Sequence, residues 1–116
     1  MITRMNRRAM PLAAAAVLAL GLATSIAARA ADTADAVTID NFAFAPATLT
    51  VAAGANVTWT NRDDEPHTVL SADGGKTFKS PALDTGDAYS FTFDKPGSYK
   101  YFCSLHPHMT GTIVVK

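Results

Sequence analysis

The sequence contains almost no cysteine and has no excess of positive charge. Cys103 is the only cysteine among the 116 residues, so no internal disulfide can form and the chain is not a disulfide-stabilised scaffold. Lysine plus arginine and aspartate plus glutamate each number ten. A lone cysteine in an exported protein is exposed to oxidation unless something occupies it, and a bound metal ion would do so.

The sequence also lacks an apolar run long enough for a confident membrane span. The longest apolar stretch, residues 12–26, follows Arg4, Arg7 and Arg8 and precedes Ala28-Arg29-Ala30. A basic start, a short apolar run and small residues at the end are typical of a signal peptide, whereas a spanning helix needs about 20 apolar residues. We therefore expect residues 1–30 to be a cleaved signal peptide.

Removal of residues 1–30 changes the charge of the chain. This segment holds four arginines and no acidic residue, so residues 31–116 carry six cations and ten anions, a net charge of −4. Such a chain is a poor nucleic-acid ligand. Its 86 residues fit one domain, which we expect to be a monomer in the periplasm. The Arg7-Arg8 pair leaves both general secretory and twin-arginine export open.

Alternating apolar and polar residues predict an all-β fold, a β-sandwich or barrel of about eight strands. The clearest alternation lies at 37–40, 48–51, 57–60 and 89–93, and glycine, proline and aspartate separate these runs. The pattern predicts Trp59, Phe42 and Phe44 in the core. The sequence contains neither a nucleophile-elbow motif nor a phosphate-binding glycine loop, so an enzyme is not expected.

Three metal-binding side chains lie within seven residues near the end of the sequence. Cys103, His106 and Met109 are spaced three apart between two predicted strands. In an extended strand, residues three apart lie about 10 Å from each other and could not share one ion. Pro107 disfavours a helix, so the spacing predicts a curled loop that gathers the three donors. Taken singly, each residue also fits an ordinary role: His106 at the surface, Met109 and Cys103 as buried apolar side chains.

A fourth donor must come from a distant part of the chain, and His67 in Pro66-His67-Thr68 is the candidate. Cysteine thiolate, two imidazoles and a weak axial methionine form the donor set of blue copper electron-transfer sites. The sequence therefore predicts one copper ion bound by His67, Cys103, His106 and Met109. We interpret His108 as a solvent-facing residue and the acidic stretch 63–65 as a solvated turn.

The chain resembles the cupredoxins, and its short ligand loop is most similar to that of the amicyanins. The resemblance covers nearly all of residues 36–116 and is carried by the motifs around His67 and by the Cys-x-x-His-Pro-x-Met loop of 103–109. It implies a Greek-key sandwich with a type 1 copper ion cycling between Cu(II) and Cu(I). It also implies that Asn61 ties the His67 segment to the backbone near Cys103.

The resemblance implies a small one-electron carrier that docks transiently near His106. Its partners would be larger redox proteins, such as a periplasmic dehydrogenase, a reductase or a c-type cytochrome. Leu105, Pro107 and Pro66 would form an apolar rim around His106. Two alternatives remain open from the sequence: a periplasmic copper-carrying or storage protein, and a metal-free interaction domain in which Cys103 is only a buried side chain.

Overall fold

The computed structural model describes residues 35–116, which form eight strands in two sheets. The strands are β1 Asp35–Asp40, β2 Ala43–Ala45, β3 Thr48–Val51, β4 Ala55–Asn61, β5 Leu70–Ser71, β6 Ala88–Phe93, β7 Gly97–Phe102 and β8 Thr110–Val115. Residues 35–116 contain no helix. The predicted all-β sandwich of about eight strands is confirmed.

The two sheets have the strand orders β2-β1-β4-β6 and β3-β8-β7-β5. Strand β1 runs parallel to β4, and β3 runs parallel to β8, whereas the other neighbouring strands are antiparallel. Parallel neighbours cannot be joined by a tight hairpin, so the chain must cross between the sheets. These directions bring residues 40–43, 61–70, 83–88 and 102–110 to one end of the sandwich, which we call the donor end.

Aromatic side chains fill the core between the sheets. The Trp59 ring stacks on Phe78 with centroids 5.7 Å apart and meets Tyr101 edge-on at 5.4 Å. Burial of each large apolar side chain contributes about 1.5–3 kcal/mol. The Trp59 indole nitrogen and the Tyr101 hydroxyl have no hydrogen-bond partner within residues 35–116. Burial raises the pKa of Tyr101 to about 12, an effect that the nearby indole N–H opposes only in part.

Glycine is required opposite Tyr101, where β7 and β8 lead into the donor end. Gly111 pairs with Tyr101 in the register of the two strands. A methyl group at position 111 would lie 2.8 Å from Tyr101 Cε1, which is closer than van der Waals contact allows. The absence of a side chain therefore lets the Tyr101 ring lie flat over the strand that follows the ligand loop.

The prediction that Phe42 is a core residue is wrong, whereas Phe44 and Trp59 are buried as expected. Phe42 follows Asn41 in the two-residue turn between β1 and β2, and both have positive φ, 54° and 57°. Positive φ at both central residues is characteristic of tight hairpin turns. Alternation between the faces of a strand does not continue through such a turn, and the Phe42 side chain is 48% exposed.

The predicted signal peptide, residues 1–30, lies outside the described residues and stays a prediction. In the part of the chain that the structure describes, no helix is long and apolar enough to cross a membrane.

Candidate metal centre

The loop from Cys103 to Met109 is curled, as its spacing predicts. The amide of His106 donates to the carbonyl of Cys103 at 3.2 Å, and the amide of Met109 donates to the carbonyl of His106 at 2.9 Å. The amide of Cys103 then donates to the carbonyl of Met109 at 3.1 Å and closes the loop. Beyond it, Phe102 and Thr110 continue the antiparallel pairing of β7 and β8. Two successive turns at the end of the β7–β8 pair thus gather the three residues that the sequence predicts as donors.

His67 reaches the centre through a different set of backbone contacts. Its amide donates to the carbonyl of Leu83 at 3.1 Å, and the amide of Leu83 donates to the carbonyl of His67 at 2.7 Å. This isolated bridge places His67 at the donor end although it lies outside the eight strands. The His67 side chain is fully buried. Its position therefore depends on segments that are far apart in the sequence.

Asn61 holds the segment that leads to His67, but its partners differ from those that the resemblance implies. Its side-chain amide donates to the carbonyls of Glu65 and Leu83, at 2.9 and 2.8 Å. Its side-chain oxygen accepts from the amide of Asp63 at 2.9 Å. None of these bonds reaches the backbone near Cys103. Asn61 ends β4, and its side chain bonds to the segment that leads to His67 and to Leu83.

Thr68 makes the link to the ligand loop that was expected of Asn61. The amide of Thr68 donates to Cys103 Sγ at 3.3 Å. The amide of Ser104 donates to Thr68 Oγ1 at 2.8 Å, and the Thr68 and Ser104 hydroxyls are also 2.8 Å apart. Thr68 was not among the residues predicted to shape the site. Its only signal was its position directly after His67, since residues next to a metal ligand often fix that ligand's geometry.

Three donor atoms converge in the folded chain. Ligand atoms of His67, Cys103 and His106 all lie within 4.8 Å of one another. Cys103 Sγ is 3.8 Å from Nδ1 of each histidine, so Nδ1 is the nitrogen that faces the sulfur in both cases. Met109 is buried at the end of the same loop, 5% exposed. His108 is exposed, as predicted.

The surroundings of Cys103 favour the thiolate, which is the form that binds metal. Burial by itself raises the pKa of the Cys103 thiol. The hydrogen bond from the Thr68 amide and the contacts with the imidazoles of His67 and His106 outweigh that effect, and the net result is a pKa lowered to about 6. The contacts around the sulfur therefore favour its charged form although the side chain is buried.

Asp63 contacts the face of His67 that points away from the sulfur. One oxygen of its carboxylate, Oδ2, lies 2.9 Å from His67 Nε2 and also accepts from the amide of Phe42 at 2.9 Å. The hydrogen bond from Phe42 and then that from His67 hold the pKa of Asp63 below its usual value. The carboxylate fixes the proton on Nε2 and leaves Nδ1 as the metal-binding nitrogen. The interpretation of 63–65 as a solvated turn thus holds for the exposed Asp64 and Glu65 only.

The exposed Phe42 ring covers both histidines. Its centroid lies 5.4 Å from that of His67 and 5.1 Å from that of His106, with near-perpendicular ring planes. The imidazoles themselves are 4.9 Å apart. Phe42 therefore limits access of water to the imidazoles from the side of the β1–β2 turn. This role of Phe42 was not predicted, because the alternation of residues placed its side chain in the core.

These residues fit a type 1 copper ion. A thiolate sulfur and two imidazole nitrogens that lie close together, in a loop that also holds a buried methionine, are donors that suit copper and allow both Cu(II) and Cu(I). A hard cation such as Mg²⁺ or Ca²⁺ prefers carboxylate and carbonyl oxygen, and Asp63 is already bound to His67 and Phe42. The donor set thus favours a soft or borderline metal ion over a hard cation.

The sequence profile described as Cupredoxin-like domain matches residues 12–115. The chain belongs to the cupredoxin-like family. This cupredoxin is 39% identical over 93 residues to amicyanin of Paracoccus denitrificans, a match that covers 78% of the chain and 71% of the relative. It is 41% identical over 69 residues to amicyanin-alpha of Methylorubrum extorquens, covering 57% of the chain and 58% of that relative.

Solved structures agree with this assignment. A Cu(I) form of an amicyanin mutant superposes on this cupredoxin with a TM-score of 0.67 and 36% identity, covering 73% of the chain and 84% of the mutant. A purple cupredoxin from Nitrosopumilus maritimus superposes with a TM-score of 0.67 and 34% identity, covering 71% of the chain and 99% of that protein. The predicted resemblance to cupredoxins of the amicyanin type is confirmed, and so is copper as the cofactor.

Proposed function

We propose that this cupredoxin is an exported type 1 copper protein that carries single electrons between larger redox proteins. The observation that carries the proposal is the convergence of two imidazole nitrogens on one buried thiolate. His67, Cys103 and His106 would hold the copper ion, and Met109 would be its weak axial ligand. The copper ion supplies one-electron chemistry, changing between Cu(II) and Cu(I).

The protein's own residues keep the donors in one arrangement. Asp63 orients His67, and Thr68 ties the sulfur of Cys103 to the neighbouring segment. The hydrogen bonds of the closed loop fix the positions of the His106 and Met109 backbones relative to Cys103. A centre that is held in this way changes little when the charge of its ion changes, and small rearrangement favours rapid electron transfer. All donors come from the protein, which leaves no open position where a substrate could react.

His106 is the donor through which electrons would leave and arrive. It is half-buried, whereas His67 and Cys103 are fully buried, so its imidazole is nearest to a docked partner. Leu105 and Pro107 beside it are exposed, and so is Pro66 next to His67. An apolar rim of this size suits the brief, small interfaces of redox encounters. The partners would be a dehydrogenase, a reductase or a c-type cytochrome of the periplasm. The cupredoxin would bind them as a monomer.

Addition of Cu(II) to the purified metal-free protein tests the proposal. We expect an intense visible absorption band from the bond between copper and the Cys103 thiolate, at a stoichiometry of one ion per chain. Replacement of Cys103 by serine should abolish that band, whereas replacement of the exposed Ser104 by alanine should keep it. A colourless protein, or a band that survives in Cys103→Ser, would contradict the assignment.

A copper-carrying protein is the second candidate, because the exposed His108 lies beside the donor His106 and could receive or release an ion. Voltammetry and copper exchange separate the two functions. A carrier should exchange Cu(I) readily with a chelator and transfer electrons slowly at an electrode. A shuttle should give a fast, reversible one-electron wave and retain its copper. We expect the second result, and an unchanged exchange rate in His108→Ala.

The export prediction needs a separate measurement. Cells that express the full chain should release the mature protein with the periplasmic fraction. Its mass should correspond to a chain that begins at Ala31, the first residue after the predicted cleavage site. Retention of residues 1–30 on the mature protein would refute the signal-peptide prediction and leave the metal-site proposal intact.

A further inference from the structure

The loop 72–77 closes an irregular hairpin that leads to the candidate metal centre. At the loop end of this hairpin, the amide of Ser71 donates to the carbonyl of Phe78 at 2.9 Å. At the other end, the amide of Leu83 donates to the carbonyl of His67 at 2.7 Å. The loop contains no metal donor itself, but it joins the two chain segments whose pairing holds His67 in place.

The loop holds an Asp-Gly dipeptide, Asp73-Gly74, and the sequence contains no second one and no Asn-Gly. A backbone nitrogen can attack the side chain of a preceding aspartate most easily when it belongs to glycine, which has no side chain to obstruct the approach. Both residues are exposed, and the Gly74 amide makes no hydrogen bond to any residue of 35–116. The nitrogen that would attack is therefore neither bound nor shielded.

Three donors hold the Asp73 carboxylate. The hydroxyl of Ser71 donates to Oδ1 at 2.6 Å, and the hydroxyl of Thr77 donates to Oδ2 at 2.6 Å. The amide of Lys76 donates to Oδ1 at 2.9 Å. The hydrogen bond from Ser71 and then that from Thr77 hold the pKa of Asp73 well below its usual value. Both carboxylate oxygens are thus fixed, and the group stays ionised at neutral pH.

Among residues 35–116, no second carboxylate lines the groove beside the loop. From β7, Tyr99 and Lys100 line this groove together with Asp73 and Thr77. The charge of Lys100, and that of Lys76 in the loop itself, favour the ionised form of a neighbouring carboxylate. The donors and the charges around Asp73 therefore act in the same direction.

We propose that Asp73-Gly74 is a modification site where the folded protein slowly forms isoaspartate, and that Ser71 and Thr77 set the rate. The Gly74 nitrogen attacks Cγ of Asp73 and loses its proton; a C–N bond forms, the bond from Cγ to a hydroxyl group breaks, and water leaves. The resulting cyclic succinimide is opened again by water at one of its two carbonyls. One opening restores aspartate, and the other gives isoaspartate, in which the main chain runs through Cγ. The reaction is an isomerisation and needs no oxidant or cofactor.

The hydrogen bonds to Asp73 slow this reaction because only the protonated carboxyl group can release water. An ionised carboxylate is a poor target for a nucleophile, and donors that favour the ionised form lower the reactive fraction. A pKa that is one unit lower reduces the protonated fraction about ten-fold at any pH well above it. The same bonds also fix the orientation of Cγ relative to the Gly74 nitrogen.

Isoaspartate would also prevent the loop from forming again as it was. One carboxylate oxygen of Asp73 becomes a main-chain carbonyl and the main chain gains a methylene group, so Ser71 and Thr77 lose the acceptor that they share. The hairpin would then loosen from its loop end toward His67. The site therefore connects the age of the protein with the firmness of the segment that carries a metal donor.

Storage of three purified proteins tests the proposal: the wild type, Thr77→Val and Thr58→Val. Thr77→Val keeps the shape of the side chain and removes the hydroxyl that donates to Asp73. Thr58→Val removes a hydroxyl contact of similar length, 2.7 Å to Ser90, on the other sheet. The proteins are kept at mildly acidic pH, folded or in urea. Peptide mapping, with fragmentation that distinguishes the two isomers, measures isoaspartate at each aspartate over time.

In the folded wild type, isoaspartate should form at Asp73 before it forms at any other aspartate of 35–116. Thr77→Val should form it about ten-fold faster, and Thr58→Val should match the wild type within about two-fold. In urea, where the donors no longer meet Asp73, the three proteins should react at one common rate that exceeds that of the folded wild type. Equal rates in the two folded variants, or isoaspartate spread evenly over the aspartates, would overturn the proposal.

Asp73→Asn separates the charge of the carboxylate from its geometry. A side-chain amide cannot ionise and releases ammonia in the same ring closure, so the folded variant should deamidate at this position faster than the wild type isomerises. An amide that stays intact over the same period would show that the fold blocks the attack and would refute Asp73-Gly74 as a modification site. None of these measurements depends on a bound metal ion, so their failure would leave the copper proposal intact.

Discussion

The two parts of the chain that supply the metal donors are built in different ways. Residues 103–109 contribute Cys103 and His106, together with the proposed axial ligand Met109, from one closed loop whose hydrogen bonds run between near neighbours. His67 comes from a segment whose contacts reach Asn61, Leu83 and Cys103. The loop is therefore organised locally, whereas the His67 segment is organised only when distant strands have come together. Metal affinity is consequently linked to folding.

This difference predicts that substitutions around His67 will affect folding and copper binding together, whereas substitutions within the loop will change the properties of copper alone. Three substitutions test this difference between the His67 segment and the ligand loop.

Replacement of Asn61 by alanine should damage the His67 segment most. Asn61 is fully buried and makes three hydrogen bonds, to Asp63, Glu65 and Leu83. Their loss and the cavity should cost about 2–4 kcal/mol in the free energy of unfolding. Copper affinity should fall in parallel, because His67 would no longer be held. Chemical denaturation and copper titration measure the two effects.

The control is Asn56→Ala, on the same strand as Asn61. Asn56 is exposed, and its side-chain amide donates only to Thr92 Oγ1. This variant should lose less than about 0.5 kcal/mol and should bind copper normally. If the Asn61 variant lost stability but kept its copper affinity, the His67 segment would not be coupled to folding as we argue.

Replacement of Thr68 by valine should weaken the connection between the two parts. Valine keeps the shape of the side chain but removes the oxygen that accepts from the amide of Ser104. We expect a loss of about 1–2 kcal/mol and a shift of the blue absorption band, because the sulfur of Cys103 would be held less firmly. Thermal unfolding and visible spectroscopy of the copper form measure both quantities.

Thr58→Val is the matched control, since the Thr58 hydroxyl lies 2.7 Å from that of Ser90 on the neighbouring strand, away from the donors. Its band should be identical to that of the wild type. An equal spectral shift in both variants would show that the effect is not specific to the link with the ligand loop.

Replacement of Met109 by glutamine should leave the fold and the number of bound copper ions unchanged and lower the reduction potential. The amide oxygen is a harder donor than the thioether and favours Cu(II) over Cu(I). This is the smallest of the three effects on the molecule as a whole, since one axial contact changes. Voltammetry measures it, with the exposed Leu105→Gln as control. An unchanged potential would remove Met109 from the axial position.

Most of the fold, and three of the four predicted donors, could be predicted from residues that are close in the sequence. Alternation identified β1, β3, β4 and β6, because the side chains of a strand point to opposite faces in turn. The spacing of Cys103, His106 and Met109 required a curled loop, and the structure has one. Both conclusions depend on local geometry, which the order of residues contains.

The errors and omissions share a different physical origin. Phe42 was assigned to the core because alternation was continued through a turn whose two residues have positive φ. Asn61 was connected to the wrong segment, and Thr68 was not noticed, because hydrogen-bond partners 20 to 40 positions apart leave no periodic trace. Asp63 looked like one of three similar acidic residues, and only the folded chain distinguishes the one that holds His67.

The sequence by itself determined the chemistry available to this protein: a soft cysteine sulfur, two imidazoles and a methionine, three of them in a spacing that requires a curled loop. The tertiary structure decided the geometry around that chemistry, including which nitrogen faces the sulfur, which carboxylate orients His67 and where the Phe42 ring lies. The reason is that donor identity and loop curvature are properties of neighbouring residues. Orientation and surface charge arise only where strands from separate parts of the chain meet.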